Sequence, residues 1–280
     1  MTPRPVTFLL LAAGSPGDYA IIKGLKRSNK YAVTLHAADC DHLKGNLYLP
    51  EVDKAYIVPR HDAPNYESTI LGLVEATGAD VLLSDLDEEL PALSAMSGKL
   101  KELGCAVVLP PRLPLLVCLD KLQAHLKLAG KVFQPTTIPG NAADPKFGLC
   151  LLQMFGGVIL KPRCLRGGRG VDLARTPDEI SFYAKRHAER GPFIGQQYLR
   201  GREFNVSMLH DLAGTMIYCA VREKLEVRLV KSNTIAAEVV RNEPVLEQAL
   251  AAVRDLGLAR GFNNVEVILS DGIAYVIDLN

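Results

Sequence analysis

The 280 residues predict two successive folds, an α/β domain on a parallel sheet and then an α+β domain with mainly antiparallel strands. Three observations carry that expectation. Continuous apolar strands alternate with helical patterns over residues 1–109, Pro110-Pro111-Arg112-Leu113-Pro114 breaks the alternation, and beyond Gly191 longer strands alternate apolar with polar residues. Uninterrupted apolar strands between helices need a sheet covered on both faces. Alternating strands have one face in a core and the other outside it.

The first strand, 6–11, leads through Gly14-Ser15-Pro16-Gly17 into an amphipathic helix over 18–26. Arg4 before that apolar run resembles the start of a signal peptide, but the run is brief and enters turn and helix at once, so it reads as a buried strand. Strands follow at 32–37, 54–58 and 80–84, a helix at 66–76, a long helix at 86–102 and a strand at 106–109. After the proline break come a helix over 115–128, a polar loop through Pro135 and 139–145, and an apolar strand, 157–161, ending in lysine. A glycine-rich loop, 166–170, precedes a strand at 171–174. Thr176-Pro177-Asp178-Glu179 is a helix start: a capping hydroxyl, a first-turn proline, and acids that suit the helix dipole. Strands at 193–198, 204–210, 216–221 and 226–230 follow, then a helix at 244–256. Two last strands, 263–269 and 273–279, share the tight turn Ser270-Asp271-Gly272.

Composition narrows the function classes. With 48% apolar and 22% charged residues and a net charge of +1, the chain has the balance of a globular protein and no electrostatic footprint for nucleic acid or an acidic membrane. No apolar run reaches the roughly 18 residues of a spanning helix. The six cysteines form no CxxC pair and do not alternate with histidine, which argues against a zinc site or disulfide framework and for a reducing, cytoplasmic setting.

The chemistry concentrates in ordered pieces. Val158-Ile159-Leu160-Lys161-Pro162 ends a buried strand on a lysine, and Gly167-Gly168-Arg169-Gly170 follows, where backbone N–H groups could close over phosphate oxygens. The lysine precedes the glycines, so this is not a P-loop. Taken alone, it reads equally well as a glycine-rich hairpin beside a surface lysine. Leu119-Asp120-Lys121 opens an upstream helix with a second lysine, and Gln196-Gln197-Tyr198-Leu199 runs into Arg200-Gly201-Arg202-Glu203. Asn264 and Glu266 share one strand face, as do Asp278 and Asn280 on the neighbouring strand. Such oxygen donors suit a Mg²⁺ ion bridging phosphates.

In this order the pieces resemble the ATP-grasp superfamily, particularly its carbamoyl-phosphate synthetase-like branch and the biotin carboxylase relatives. The resemblance covers nearly the whole chain. It implies a Rossmann-like pre-ATP-grasp domain over 1–114, an ATP-grasp small (lid) subdomain over 115–194 and a C-terminal subdomain over 195–280. It implies ATP and Mg²⁺ (or Mn²⁺) as cofactors, with small-molecule carboxylate and amine substrates, and it admits a homodimer. Lys121 and Lys161 match the cations that hold the phosphates, and Arg166 to Gly170 match the loop that folds over them. Gln196, Gln197 and Leu199 match the hinge whose backbone reads the adenine edge, and Glu203 matches the acid that holds the ribose hydroxyls. Glu266, Asp278 and Asn280 match the metal ligands. Arg222 resembles an arginine facing the phosphoryl or acyl group, with Lys231 a second candidate there.

Two departures stand out. Asp278 replaces the family's glutamate, and the chain stops at Asn280, where relatives continue into Pro-Arg and glycines. The second departure leads to the expectation of a truncated C-terminal subdomain with little or no turnover. The expected activity is an ATP-dependent ligase that activates a carboxylate as an acylphosphate for attack by an amine, which needs charge neutralisation rather than a nucleophile–base triad. The alternatives are an ATP-binding module without turnover and an NAD-dependent oxidoreductase. The latter rests on Gly14, Gly17 and Asp39 but lacks the third glycine of the fingerprint.

Overall fold

The computed structural model describes residues 2–144, 146–165, 169–227 and 234–279. The chain forms two compact units, Met1–Leu115 and Leu116–Asn280.

The first unit carries β1 (Arg4–Leu11), α1 (Asp18–Lys26), β2 (Tyr31–Asp39), β3 (Lys54–Ile57), α2 (Tyr66–Thr77), β4 (Val81–Ser84), α3 (Leu90–Ala95) and α4 (Ser97–Glu102). Its strands are parallel, in the order β3-β2-β1-β4. The apolar run of β1 serves two cores because successive side chains point to opposite faces. Leu9 and Leu11 enter the core with Ile70, Val74, Leu93 and Leu100, whereas Leu10 joins Ile22 and Leu35 on the other side. Both faces are covered, as uninterrupted apolar strands require.

Two expectations fail here. The helix expected over 86–102 is two short ones, because Pro91 takes the first-turn position where its missing N–H costs nothing and the chain leaves helical geometry at Met96. The strand expected at 106–109 is a single parallel bridge, Val81 to Ala106, as Pro110 and Pro111 close off the ladder.

The second unit begins within α5 (Arg112–Cys118), followed by α6 (Lys121–Leu128), β5 (Thr137–Pro139), α7 (Leu149–Phe155), β6 (Val158–Pro162), β7 (Asp172–Ala174), α8 (Pro177–Ala188) and β8 (Phe193–Gln197). Then come β9 (Arg202–His210), β10 (Met216–Val227), β11 (Thr234–Val239), α9 (Glu243–Leu256), β12 (Gly261–Ser270) and β13 (Ile273–Leu279). One antiparallel sheet runs β5-β8-β6-β7 over a core that includes Phe147, Leu151, Ile180 and Phe193. The other runs β11-β10-β9-β12-β13 with α9 against it. Along β9 the residues Phe204, Val206, Met208 and His210 are buried, and those between them are half-buried.

The helix expected over 115–128 is interrupted, because Asp120 caps a new helix by accepting from Leu122 N at 3.0 Å and Gln123 N at 3.4 Å. The start signal at Thr176 is a full capping box with Glu179. Strands expected separately at 216–221 and 226–230 are, over the described residues, one strand ending at Val227; 228–230 lie outside them. The turn after Ser270 places Asp271 and Gly272 at φ 48° and 80°, the left-handed pair of a tight hairpin.

Candidate functional site: a charged cavity in the second unit

Lysines 121 and 161 are delivered by two different elements. Lys121 opens α6, and its position follows from the cap: Asp120 is held by the Arg163 guanidinium, and Lys121 N donates to Arg163 O at 2.9 Å. Lys121 Nζ lies 2.9 and 2.8 Å from the two oxygens of Asp278. Lys161 projects from β6, and its Nζ donates to Ile277 O at 3.1 Å. Burial pushes the Lys161 pKa down and nearby Lys121 adds to that, against the opposing pull of Asp278.

The carboxylates come from one row of the five-stranded sheet. Register places Arg222, Asn205, Glu266 and Asp278 directly opposite one another across β10, β9, β12 and β13. Directly paired residues of antiparallel strands share a face. Two residues further along β10, Lys224 sits with its side chain only 3% exposed and Nζ 3.1 Å from Glu266 Oε2 and 3.5 Å from Glu203 Oε2. One ammonium thus spans two acids from different strands.

These groups line a cavity of about 320 Å³. Its charged walls carry Lys121, Lys161, Arg169, Lys224, Glu203, Glu266 and Asp278, and Asn205, Gln196 and Gln197 add amides. Ile159, Leu165, Val171, Tyr198, Leu199 and Ile268 supply its apolar side. Gly170 adjoins the cavity under Pro162: its φ is 73°, and a Cβ there would come within 3.1 Å of the Pro162 ring, so the loop end requires glycine.

Nine of the expected residues therefore meet in one cavity: Lys121, Lys161, Arg169, Gln196, Gln197, Leu199, Glu203, Glu266 and Asp278. Arg222 does not line it; its Nη2 donates to Ser207 Oγ at 2.6 Å. Gly167, Gly168, Lys231 and Asn280 lie outside the described residues. Sequence reasoning missed Lys224 and Asn205. The signal was available, since each stands two residues from a named candidate, Arg222 or Glu203, and a period of two puts them on the same face.

The donor chemistry fits a magnesium nucleotide. Clustered ammonium groups suit phosphates, and the Oδ1 of Asn205 is buried with no hydrogen-bond partner in a wall of the cavity. Among the described residues no group of three or more Asp, Glu, His or Cys side chains is arranged to hold a metal by itself. Glu266 and Asp278 nevertheless supply the one or two carboxylates that Mg²⁺ takes when phosphate oxygens complete its shell.

Comparison with known proteins bears on this geometry. A family model described as an ATP-grasp domain matches residues 118–280, and one described as a PylC-like N-terminal domain matches 8–108. The chain belongs to the ATP-grasp family. It is 28% identical over 178 residues to the D-alanine–D-alanine ligase of Thermotoga sp. (strain RQ2), a match spanning 59% of this chain and 57% of that enzyme. The chain thus spans little more than half the length of that relative. Its fold is shared with N5-carboxyaminoimidazole synthetase from Staphylococcus aureus solved with ADP (TM-score 0.75, 12% identity, 99% of this chain and 70% of that one). It is likewise similar to a biotin carboxylase from Campylobacter jejuni (TM-score 0.71, 18% identity, 98% of this chain and 64% of that one). The dinucleotide alternative gains nothing: Asp39 is already engaged by Gly14 N and Asp41 N, both at 2.9 Å.

Proposed function

We propose that the chain is the nucleotide-binding body of an ATP-dependent carboxylate–amine ligase. The observation that carries this reading is the convergence in one cavity of three lysines, two directly opposed carboxylates and apolar side chains around the segment 196–199. The domains divide as 1–114, 115–194 and 195–280, the middle segment acting as the lid.

Lys121 and Lys161 bind and orient the phosphates, with Arg169 at the loop end beside them. Gln196, Gln197 and Leu199 hold the base, and Glu203 the ribose hydroxyls. Glu266 and Asp278 would hold Mg²⁺ or Mn²⁺, with Asn280 completing the set; the metal supplies neutralisation of phosphate charge. The nucleotide supplies the γ-phosphoryl group: a substrate carboxylate oxygen attacks it and ADP leaves, and an amine then attacks the acyl carbon of the resulting acylphosphate and displaces inorganic phosphate. Arg222 and Lys231 are the residues proposed for the acyl and phosphoryl side. Phosphoryl transfer asks for positioning and electrostatic stabilisation, so a site of fixed cations suffices.

A thermal-shift comparison tests the assignment. Mg²⁺-ADP and Mg²⁺-ATP should raise the melting temperature and NAD should leave it unchanged, because only a ligand of the folded state stabilises by mass action. Stabilisation by NAD without any response to ATP would overturn the assignment. ADP release with paired panels of carboxylic acids and amines then separates a ligase from a binding module.

A further inference from the structure

Gln196 is the buried amide of the base-binding segment, and a neutral amide is ambiguous. Its oxygen end accepts and its nitrogen end donates, so the same side chain could face a 6-amino or a 6-oxo purine. The surrounding hydrogen bonds remove that ambiguity. Thr137 Oγ1 lies 2.9 Å from Pro135 O, a carbonyl that can only accept, so the single hydroxyl proton goes there. Towards Gln196 the Thr137 oxygen can then only accept, and it stands 2.9 Å from Nε2. The amide nitrogen is thereby fixed towards Thr137, and Oε1 is the end left for the cavity. The strands hold both partners in place, since Thr137 and Gln196 face each other across β5 and β8. Gln196 is 7% exposed and stands opposite Ile159, which lines the same cavity. Its neighbour Gln197 is already committed, with Oε1 accepting from Thr136 N at 3.1 Å.

We infer that Thr137 is a positioning residue for nucleobase selection: its hydroxyl, anchored on Pro135, sets Gln196 as an acceptor and so selects 6-amino over 6-oxo purine nucleotides. The inference rests on the nucleotide reading above and deepens it. A 6-amino group donates to Oε1. A 6-oxo group sets acceptor against acceptor and leaves both unpaired in a closed site, which lowers affinity about 10- to 100-fold.

Adenosine and inosine diphosphates are the suitable probes, because they differ only at position 6 and its coupled ring proton. With Mg²⁺ present, calorimetry on the full chain should show ADP binding at least about tenfold more tightly than IDP. Thr137→Val keeps the side-chain shape and removes the oxygen that holds the amide, so the ADP/IDP ratio should collapse towards one, mainly through gained IDP affinity. Gln196→Glu presents acceptors whichever way it turns, so it should keep the preference. Adding Gln196→Glu to Thr137→Val should restore the preference, a rescue that general damage at position 137 would not give. Equal binding of ADP and IDP by the wild type overturns the inference while leaving the nucleotide site standing. So does a Thr137→Val ratio unchanged from wild type. Failure of the wild type to bind either nucleotide removes the nucleotide reading itself, and this inference with it.

Discussion

Lys161 and Lys224 are both buried cations, yet their loss has different consequences. Lys161 donates to a backbone carbonyl, and burial already works against its charge. Removing it deletes a charge that burial disfavours and that Asp278 and Glu266 only partly offset, so Lys161→Ala should leave the unliganded melting temperature nearly unchanged. The same change should weaken ATP binding about 30-fold or more, the usual effect of truncating one partner of a desolvated charge pair. Unchanged affinity in calorimetry would remove the phosphate role from the end of β6. Lys224 instead neutralises Glu203 and Glu266 together. Lys224→Met should therefore destabilise the free protein by about 2 kcal/mol, since two acids lose a shared hydrogen-bonded cation. Denaturant unfolding with Lys224→Met equal to wild type would show that the bridge contributes nothing. Glu203→Ala separates the roles further: a ribose acid should cost affinity for adenosine as well as ATP, whereas Lys161→Ala should spare adenosine.

At the scale of elements, what the sequence made legible follows from where local and tertiary demands agree. The parallel strands of the first unit, the capping box at Thr176 and the final hairpin were readable because period, cap and turn chemistry all point one way. The long strand β10 was read as two because Arg222-Glu223-Lys224 interrupts its apolar character. Lys224 is there because its face of the strand lines the cavity, so the site itself helped to hide the element. The short helix α7 was missed too; it fits between left-handed Gly148 and Gly156, and glycines read as loop. Most of the candidate site was legible as ordered motifs, but the Lys224 bridge and the Thr137 anchor depend on strand register, which the motifs do not carry. Register also sets the constraint at Gly201, where an added Cβ would meet Leu269 O at 2.2 Å. Gly201→Ala must push the segment leading to Glu203 off β12. We expect lowered stability by about 1–3 kcal/mol together with weaker nucleoside binding. An alanine variant that melts and binds like wild type would show that the strand spacing there is loose.

For the whole molecule, the dependence of stability on pH should originate in the first unit rather than at the cavity. Asp18 opens α1, is fully buried, and neither carboxylate oxygen has a hydrogen-bond partner. Burial, reinforced by Asp85 and more weakly by Asp39 and Glu89, pushes its pKa up to about 8, although the Ser15 backbone pulls the other way. Asp85 meanwhile accepts from Ser15 Oγ at 2.9 Å and Asp39 from Gly14 N, so the acids around Asp18 hold the loop after β1 instead of offering it a proton. In the unfolded chain Asp18 returns to the ordinary value of 3.8. Between those two values the folded state binds the extra proton, so stability falls as pH rises through this window. The contribution is complete below the unfolded value and is lost once pH passes about 8. Glu89, whose pKa burial also raises, adds to the same slope. Asp18→Asn replaces the protonated acid with a neutral isostere and should flatten the profile. Near pH 4 variant and wild type should melt within about 2 °C of each other, and from there the variant should melt progressively higher, by about 4 °C or more near pH 9. Melting curves that run parallel from pH 6 to pH 9 would show that Asp18 is ionised, or satisfied, in the folded chain.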